Sequence, residues 1–389
     1  MPLQFFLDHL ARSKPVPEIV QGAHVVSLPS LTVNQGTGFY SEDRYVVEKW
    51  TLFNESWTFI AVLDGHGGTA AADFVLNELP TALKNSIGAT RPLADEEIAR
   101  ILSREILALD DQISDGFTSL FPDDLSQVSV DDAARAFKDP SADSGLRTEV
   151  LRAISGTAVA VALIDPSNVV HVASVGDCDV FVCAAEGSPT GWEVHSLGPR
   201  HRCTNSTEAA RIRAEHPGEE FCVTNLVPNG NVSGVLGHLT VSRGPNKLEP
   251  ALGDMPFKLS PDHIRLLRSV RWYSALEDRV LTPPYLSNVP DIHHFRFAAS
   301  KRSQYLVLSS DGFAGLFKRA HGITEPKELA SVCASIASSA EAKGENMAVS
   351  LLWEAFGGEN EHNIFKELAE GTPRRGSVDD ITVVVVPIL

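Results

Sequence analysis

The sequence predicts an α+β fold, a single mixed domain built on antiparallel sheet with helices packed against it. Three observations predict this. Apolar strand-like runs occur near both ends of the chain, and their pattern assigns them to one core. Several of these runs follow one another across turns too short for a parallel crossover, which leaves antiparallel pairing. Stretches with apolar residues at helical spacing separate the groups of strands.

The organising stretch is Phe59-Ile60-Ala61-Val62-Leu63-Asp64-Gly65-His66-Gly67-Gly68. Five consecutive apolar residues read as a strand buried on both faces, and the glycines after Asp64 permit a sharp corner with close backbone approach. Beyond the corner, Ala72, Val75, Leu76, Leu79 and Leu83 fall at helical spacing, with Thr69 placed to cap the helix. Asp64 and His66 thus stand on a rigid strand-to-helix junction, a suitable mount for a catalytic carboxylate and a proton donor. An aspartate-glycine corner is also an ordinary way to end a strand. Recurrence argues for more. Tyr305–Ser310 runs into Asp311-Gly312, Val169–Val175 runs into Gly176-Asp177, and Asp379-Asp380 leads into Ile381–Val386. Adjacent strands that bring these aspartates to one end of a sheet system create a cluster of like charge, unfavourable until cations neutralise it. Hard oxygen ligands of this kind suit magnesium or manganese.

Length and composition set bounds. At 389 residues with 43% hydrophobic content, the chain is long enough for a sizeable core. A net charge of −17 argues against a nucleic-acid partner, which requires a basic footprint. The five cysteines, Cys178, Cys183, Cys203, Cys222 and Cys333, have no metal-ligand spacing and read as reduced intracellular thiols. No apolar run reaches membrane-spanning length. The opening MPLQFFLDHLARSKP carries Asp8 beside Arg12 and Lys14, a composition that fits an N-terminal docking segment better than a mitochondrial presequence. The sequons at Asn54, Asn205 and Asn231 carry little weight without a secretory signal.

In order along the chain, Val25 to Trp50 alternates strand-like and turn-like residues around Ser41-Glu42-Asp43-Arg44, where Glu42 and Asp43 add two carboxylates beside a strand start. In isolation this reads as a charged surface turn. A second amphipathic helix is marked by Ile98, Ile101, Leu102, Ile106 and Leu109. Residues 110–145, rich in aspartate and serine, read as an exposed insertion with a short helix over Ala133–Phe137. Strands follow at Ala158–Ile164, Val169–Val175, Asp179–Ala184 and Trp192–Leu197, expected to form successive antiparallel neighbours. A helix over 205–216 ends before Pro217. The glycine-rich stretch 217–262 reads as a flap, because Val235, Leu236, Leu239 and Val241 are spread through it. A strand at His294–Phe297 and helices at 326–340 and 346–356 complete the reading.

FIAVLDGHGG, SGTA, Gly176-Asp177, LVLSSDGF and SVDDITVVVV, in this order, resemble the metal-dependent type 2C protein serine/threonine phosphatases from about Val33 to Leu389. Ser41-Glu42-Asp43-Arg44, Arg211–Pro217, Thr282–Leu286 and Asp379–Thr382 are similar to the pyruvate dehydrogenase phosphatase branch. The resemblance implies a four-layer α-β-β-α sandwich of two antiparallel sheets with a binuclear centre of two Mg2+ or Mn2+ ions at one end. It implies an N-terminal segment over 1–32 and a catalytic domain over 33–389, with the flap at about 217–262. Asp64, Asp311 and Asp379 match metal-ligating aspartates, the Gly65 carbonyl matches a further ligand, and Glu42 or Asp43 matches acids that hold metal-bound water. His66 matches the residue that protonates the departing seryl or threonyl oxygen, and Asp177 matches part of a third metal site. Two divalent ions bridging a hydroxide would lower its pKa and clamp the phosphoryl oxygens of a phosphoprotein substrate, pyruvate dehydrogenase or a similar protein. The branch implies the mitochondrial matrix, with the cytoplasm as the alternative.

Three positions depart from the family pattern. Gly38 stands where relatives place an arginine or a polar residue, Gly315 stands where an acid would help Asp177, and Gly244–Pro250 is inserted before Ala251-Leu252-Gly253-Asp254. Gly38 and Gly315 keep open a pseudophosphatase that uses the same fold as an interaction module. A hydrolase of small phosphate esters is a third reading, unsupported by any GxxxxGK loop.

Overall fold

The structure is a computed structural model. It describes residues 17–29, 41–90, 94–138, 144–186, 191–198, 201, 206–220, 222–225, 233–236, 251–267, 279–297, 303–360 and 378–388. Gly38 and the inserted residues 244–250 lie outside these, as do residues 1–16.

In chain order, β1 (Glu18–Val20), β2 (Ala23–Leu28), β3 (Arg44–Leu52) and β4 (Glu55–His66) come first. Helices α1 (Ala70–Gly88), α2 (Asp95–Thr118), α3 (Val130–Lys138) and α4 (Ser144–Ile154) follow. Then come β5 (Gly156–Ile164), β6 (Val169–Val175), β7 (Asp179–Ala185), β8 (Trp192–Ser196) and α5 (Ser206–Glu215). The short strands β9 (Val223–Asn225), β10 (Ser233–Val235) and β11 (Leu252–Gly253) precede α6 (Pro261–Leu267) and β12 (Asp291–Arg296). Last are β13 (Gln304–Ser309), α7 (Asp311–His321), α8 (Pro326–Lys343), α9 (Met347–Ala355) and β14 (Ile381–Ile388).

These strands form two antiparallel sheets, one in the order β1-β2-β14-β13-β7-β8 and one in the order β12-β6-β5-β4-β3, with β11 added beside β5. Alternation along the strands builds three apolar layers. Ile60 and Val62 of β4 meet Val180, Leu306, Leu308 and Val384 between the sheets. Phe59, Ala61 and Leu63 face the other way, onto Ala72, Val75 and Leu79 of α1 and Ile101, Leu102 and Ile106 of α2. The outer face of the first sheet is covered by Phe313 and Phe317 of α7, Ala330 and Ala334 of α8 and Leu351 and Leu352 of α9. The result is the expected α+β sandwich, helices outside and sheets inside. The first sheet extends into the N-terminal segment: Ala23–Leu28 form a strand that pairs with β14, with Val25 opposite Val384.

Four local expectations change. Thr69 occupies the N-cap position of α1, but its side chain makes no capping bond. The hydroxyl of Ser155, next to β5, accepts the Ala71 N–H at 3.0 Å instead, so a residue distant in sequence supplies the cap. The stretch 110–145 is not simply an exposed insertion. Asp110, Ile113 and Phe117 continue the buried face of α2, and Phe117 packs edge-on against Phe121 at 5.3 Å. The polar composition of the stretch conceals that periodicity. Strands β6 and β7 are not neighbours either, because Gly176-Asp177-Cys178 carries the chain from one sheet to the other. Finally, the residues after Asp311 form helix α7, which the sequence reading did not assign.

One buried ion pair ties the flap side to the helical layer. Lys258 Nζ lies 2.9 and 2.8 Å from the two carboxylate oxygens of Asp110 and donates to the Ala251 carbonyl at 2.6 Å. Both side chains are over 90% buried. Removing one partner strands a buried charge, so Lys258→Met should cost about 3–5 kcal/mol in a denaturant titration. A shift under 1 kcal/mol would contradict the pair's structural weight.

Candidate metal centre

The register of β4 sets the site. Residues 60 and 62 face the inter-sheet core, so Asp64 and His66 continue on that face as the strand reaches the open end of the sandwich. Gly65, between them, lies against the Glu42 backbone so closely that an added Cβ would collide with the Glu42 carbonyl oxygen. Asp311 begins α7 directly after β13, and Asp177 lies in the link that crosses between sheets. Carboxylate oxygens of Asp64, Asp177 and Asp311 all fall within 4.8 Å of one another. The Asp311 N–H, at the N-terminus of α7, donates to Asp64 Oδ2 at 3.2 Å.

The gathered trio differs from the expected one of Asp64, Asp311 and Asp379. Asp177 takes part, while Asp379 is held beside the group: its Cβ is 3.2 Å from where a Gly312 Cβ would stand, and its Oδ1 accepts the Asp380 N–H at 3.0 Å. The neighbouring Asp380, which the sequence reading gave no role, accepts the Glu42 N–H at 2.6 Å and thereby docks the Glu42-Asp43 turn against the start of β14. Arg44 braces the same turn, donating to the Ser41 and Asp43 carbonyls and, at 2.6 Å, to Asp73 of α1.

Asp43 has only 3% of its surface exposed, and neither carboxylate oxygen has a hydrogen-bond partner. Burial pushes its carboxyl well above the usual range, the charges of Asp64 and Asp380 push it further, and the nearby Ser310 and Thr382 hydroxyls offset this only in part. Three converging carboxylates and an orphaned buried fourth fit hard divalent cations, which would be held by Asp64, Asp177 and Asp311 with Glu42, Asp43, Gly65 and Asp379 around them.

His66 is anchored by a partner that the sequence reading missed. His66, Gly156 and Gly253 are in cross-strand register on β4, β5 and β11. Asp254, the next residue, turns its carboxylate across Gly156, and its Oδ2 lies 2.6 Å from His66 Nε2. A side chain on Gly156 would collide with both groups, so glycine is required there by the pair above it. A second histidine secures Asp177. His201 Nδ1 accepts the Gly176 N–H at 3.2 Å, the His201 N–H donates to the Gly176 carbonyl at 3.1 Å, and Nε2 pairs with Asp291 on the edge strand β12. No local signal marks His201; the Ala251-Leu252-Gly253-Asp254 turn is legible in the sequence, but its contact with His66 is not. Asp110 did carry one, as an acid on an apolar helix face between Ile106 and Ile113.

With fold and site in view, comparison with known proteins places the chain. A family model described as Protein phosphatase 2C matches residues 30–324. The chain belongs to the protein phosphatase 2C family. Among curated relatives, a protein phosphatase 2C homolog of Schizosaccharomyces pombe is 28% identical over 274 residues, 70% of this chain and 56% of the relative. The mitochondrial pyruvate dehydrogenase (acetyl-transferring) phosphatase 1 of Saccharomyces cerevisiae is 27% identical, covering 72% of this chain and 49% of its own length. The human mitochondrial phosphatase 2 of the same description is 26% identical over 64% of this chain and 52% of its own. The chain thus spans about half the length of the curated relatives it matches. Its fold matches a serine-threonine phosphatase 2C from Toxoplasma gondii with a TM-score of 0.54 at 15% identity, covering 96% of this chain and 98% of that one.

Two predictions follow from the geometry. A carboxyl raised in the folded state is protonated more readily there than in the unfolded chain. Its contribution to stability therefore declines as pH rises from its ordinary value near 3.8 toward the folded value. At neutral pH without cations, Asp43 should weaken the fold, and Asp43→Asn should raise the melting temperature measured in chelator. Manganese at about 100 times its Kd should stabilise the wild type by about 2.7 kcal/mol, and the variant by less. Gly315, one turn beyond Asp311 in α7, has open space where a Cβ would sit, with only Arg319 Nη1 3.9 Å away. Gly315→Ala should gain about 0.5–1 kcal/mol of stability in a denaturant titration.

Proposed function

We propose that this chain is a magnesium- or manganese-dependent protein phosphatase that removes phosphate from phosphoserine or phosphothreonine. The carrying observation is the convergence of Asp64, Asp177 and Asp311 within 4.8 Å at the end of the sandwich where His66 is also mounted. Membership of the protein phosphatase 2C family supports the same reading. We take the catalytic unit as 33–389, with 217–262 as a flap. Divalent cations, two by family resemblance, would activate a water molecule for in-line attack and neutralise the phosphoryl oxygens.

The chain's own residues supply the rest. Asp64, Asp177 and Asp311 provide the negative charge that gathers the cations, and Asp43 adds a buried carboxylate. The Glu42-Asp43 turn is kept in place by Asp380 and Arg44. His66 holds a proton for the departing seryl or threonyl oxygen, which is a poor leaving group without one. The pyruvate dehydrogenase phosphatases among the relatives support pyruvate dehydrogenase or a similar phosphoprotein as the substrate. Their mitochondrial designations support a matrix location for this chain.

A phosphoserine peptide assay tests the proposal. Chelation should abolish turnover, and excess magnesium or manganese should restore it. Asp64→Asn should fold yet lower turnover by more than about 100-fold, equivalent to roughly 3 kcal/mol of lost transition-state stabilisation. Wild-type turnover that persists in chelator would refute the metal mechanism, and no turnover with either metal would favour an interaction module.

A further inference from the structure

We propose that His171 and His294 form an acid-operated latch on the edge strand β12. The latch is closed while the two rings share one hydrogen and opens when both rings are charged.

His171 on β6 and His294 on β12 are direct cross-strand partners. Their Nδ1 atoms lie 2.8 Å apart, and the rings meet edge to face with centroids 4.9 Å apart. A nitrogen–nitrogen line of that length holds one hydrogen, donated by one ring and accepted by the other. Two neutral rings satisfy it, and so does a pair with a single charge. A doubly charged pair carries a hydrogen on each Nδ1, which turns the bond into a repulsion between like charges. His294 is exposed and can meet water, but His171 is wholly buried. It stands opposite Leu163 of β5, on the sheet face that Ala173, Ile98 and Ile101 help to line. A charged, unpartnered imidazole there is costly until water reaches it. Water gains that access most easily by moving β12, which ends the sheet beside β6.

The surrounding charges set the direction of the response. Asp95 and Glu96 at the start of α2 act on His294, as does His293 of its own strand, and Arg296 follows on the same strand face. Burial lowers the His294 imidazole, the His171 ring lowers it further, and Asp95 and Glu96 raise it only in part. A histidine lowered in the fold contributes stability that is present above its ordinary value of 6.5 and lost as pH falls through the folded value. Asp165, in the turn before β6, lies 3.7 Å from His171 Nε2 and favours the first charge on the pair. Two other titrating contacts reach β12. His201 pairs with Asp291, and His195 of β8 packs on Phe295 while pairing with Glu193 at 2.9 Å. Because Asp291 holds His201, and His201 grips the Gly176 peptide, an opened β12 also gives up one support of the link that carries Asp177.

The test measures amide hydrogen exchange, corrected for intrinsic rates, along β12 and β4 at about pH 7.5, 6.5 and 5.5, the range in which histidine titrates. Wild type is compared with His294→Gln. Glutamine at this exposed position can turn its amide to donate to His171 Nδ1 or to accept from it, so it serves both charge states. Wild-type protection of β12 should fall about tenfold between pH 6.5 and 5.5, as for one proton taken up on opening, while β4 keeps its protection. In His294→Gln the change along β12 should be under about threefold, with the His201 and His195 contacts present in both proteins. Wild-type protection that holds steady, as it would if the His294 ring merely rotated into water, would overturn the latch. So would an equal loss in the variant, or a loss along β4 that matches β12. A second measurement needs no variant. Nitrogen-15 coupling across the Nδ1–H···Nδ1 bond of histidine-labelled wild type should be present at neutral pH and gone at about pH 5.5. No coupling at neutral pH would also overturn the proposal.

Discussion

Carboxylates crowded at a sheet end repel one another, and most of this molecule's architecture near the site serves to hold them together. Asp64, Asp177 and Asp311 arrive from a strand end, a link between sheets and a helix start, so no single element controls their separation. Each is fixed by hydrogen-bonded backbone. The N-terminus of α7 offers its first N–H to Asp64, His201 grips both sides of the Gly176 peptide, and the Asp380 carboxylate pins the Glu42-Asp43 turn. Asp43 bears part of this burden: it is buried near Asp64 and Asp380, and the Ser310 and Thr382 hydroxyls offset that only in part. A fold that bears such strain without cations gains most when they bind, which links stability and function at one position.

The apolar layers make this arrangement affordable. Phe59 to Leu63 are essentially inaccessible to solvent, because alternate residues face the opposite sheet and the α1–α2 layer. Both faces of β4 are therefore fixed by packing before its last residues reach the open end. The same holds for β13, whose Leu306 and Leu308 face between the sheets while Tyr305 and Val307 face the outer helices. Two stiff strands from different sheets thus present Asp64 and Asp311 to each other. Shifting β4 by one residue would turn Asp64 away from the inter-sheet mouth.

Outside the acid cluster, the structure relies on a second set of buried polar contacts. Asp110, Lys258 and Asn288 come from α2, from the residues before α6 and from the loop before β12, yet they converge on the turn at Gly253-Asp254. His216, Thr282, Tyr285 and Glu219 form a less buried polar group on the flap side, where the Tyr285 ring stacks on His216 at 4.1 Å. These contacts join segments far apart in sequence.

The sequence by itself determined the strands, the principal helices and the acidic corners, because these are written in local periodicity and in aspartates that end apolar runs. The Asp64 corner and the run into Asp311 were legible for that reason, and the order of the motifs identified the family. Which acids meet was decided only by tertiary structure. Asp177 joins Asp64 and Asp311 because the chain crosses between sheets at Gly176, and the short link there looked like a hairpin connection. The cap on α1 came from Ser155 instead of the adjacent Thr69, and the partner of His66 came from a residue 188 positions away. Local pattern records which way a side chain faces along its own element. The distance between two side chains depends on how several elements pack together, and no window of sequence contains that quantity.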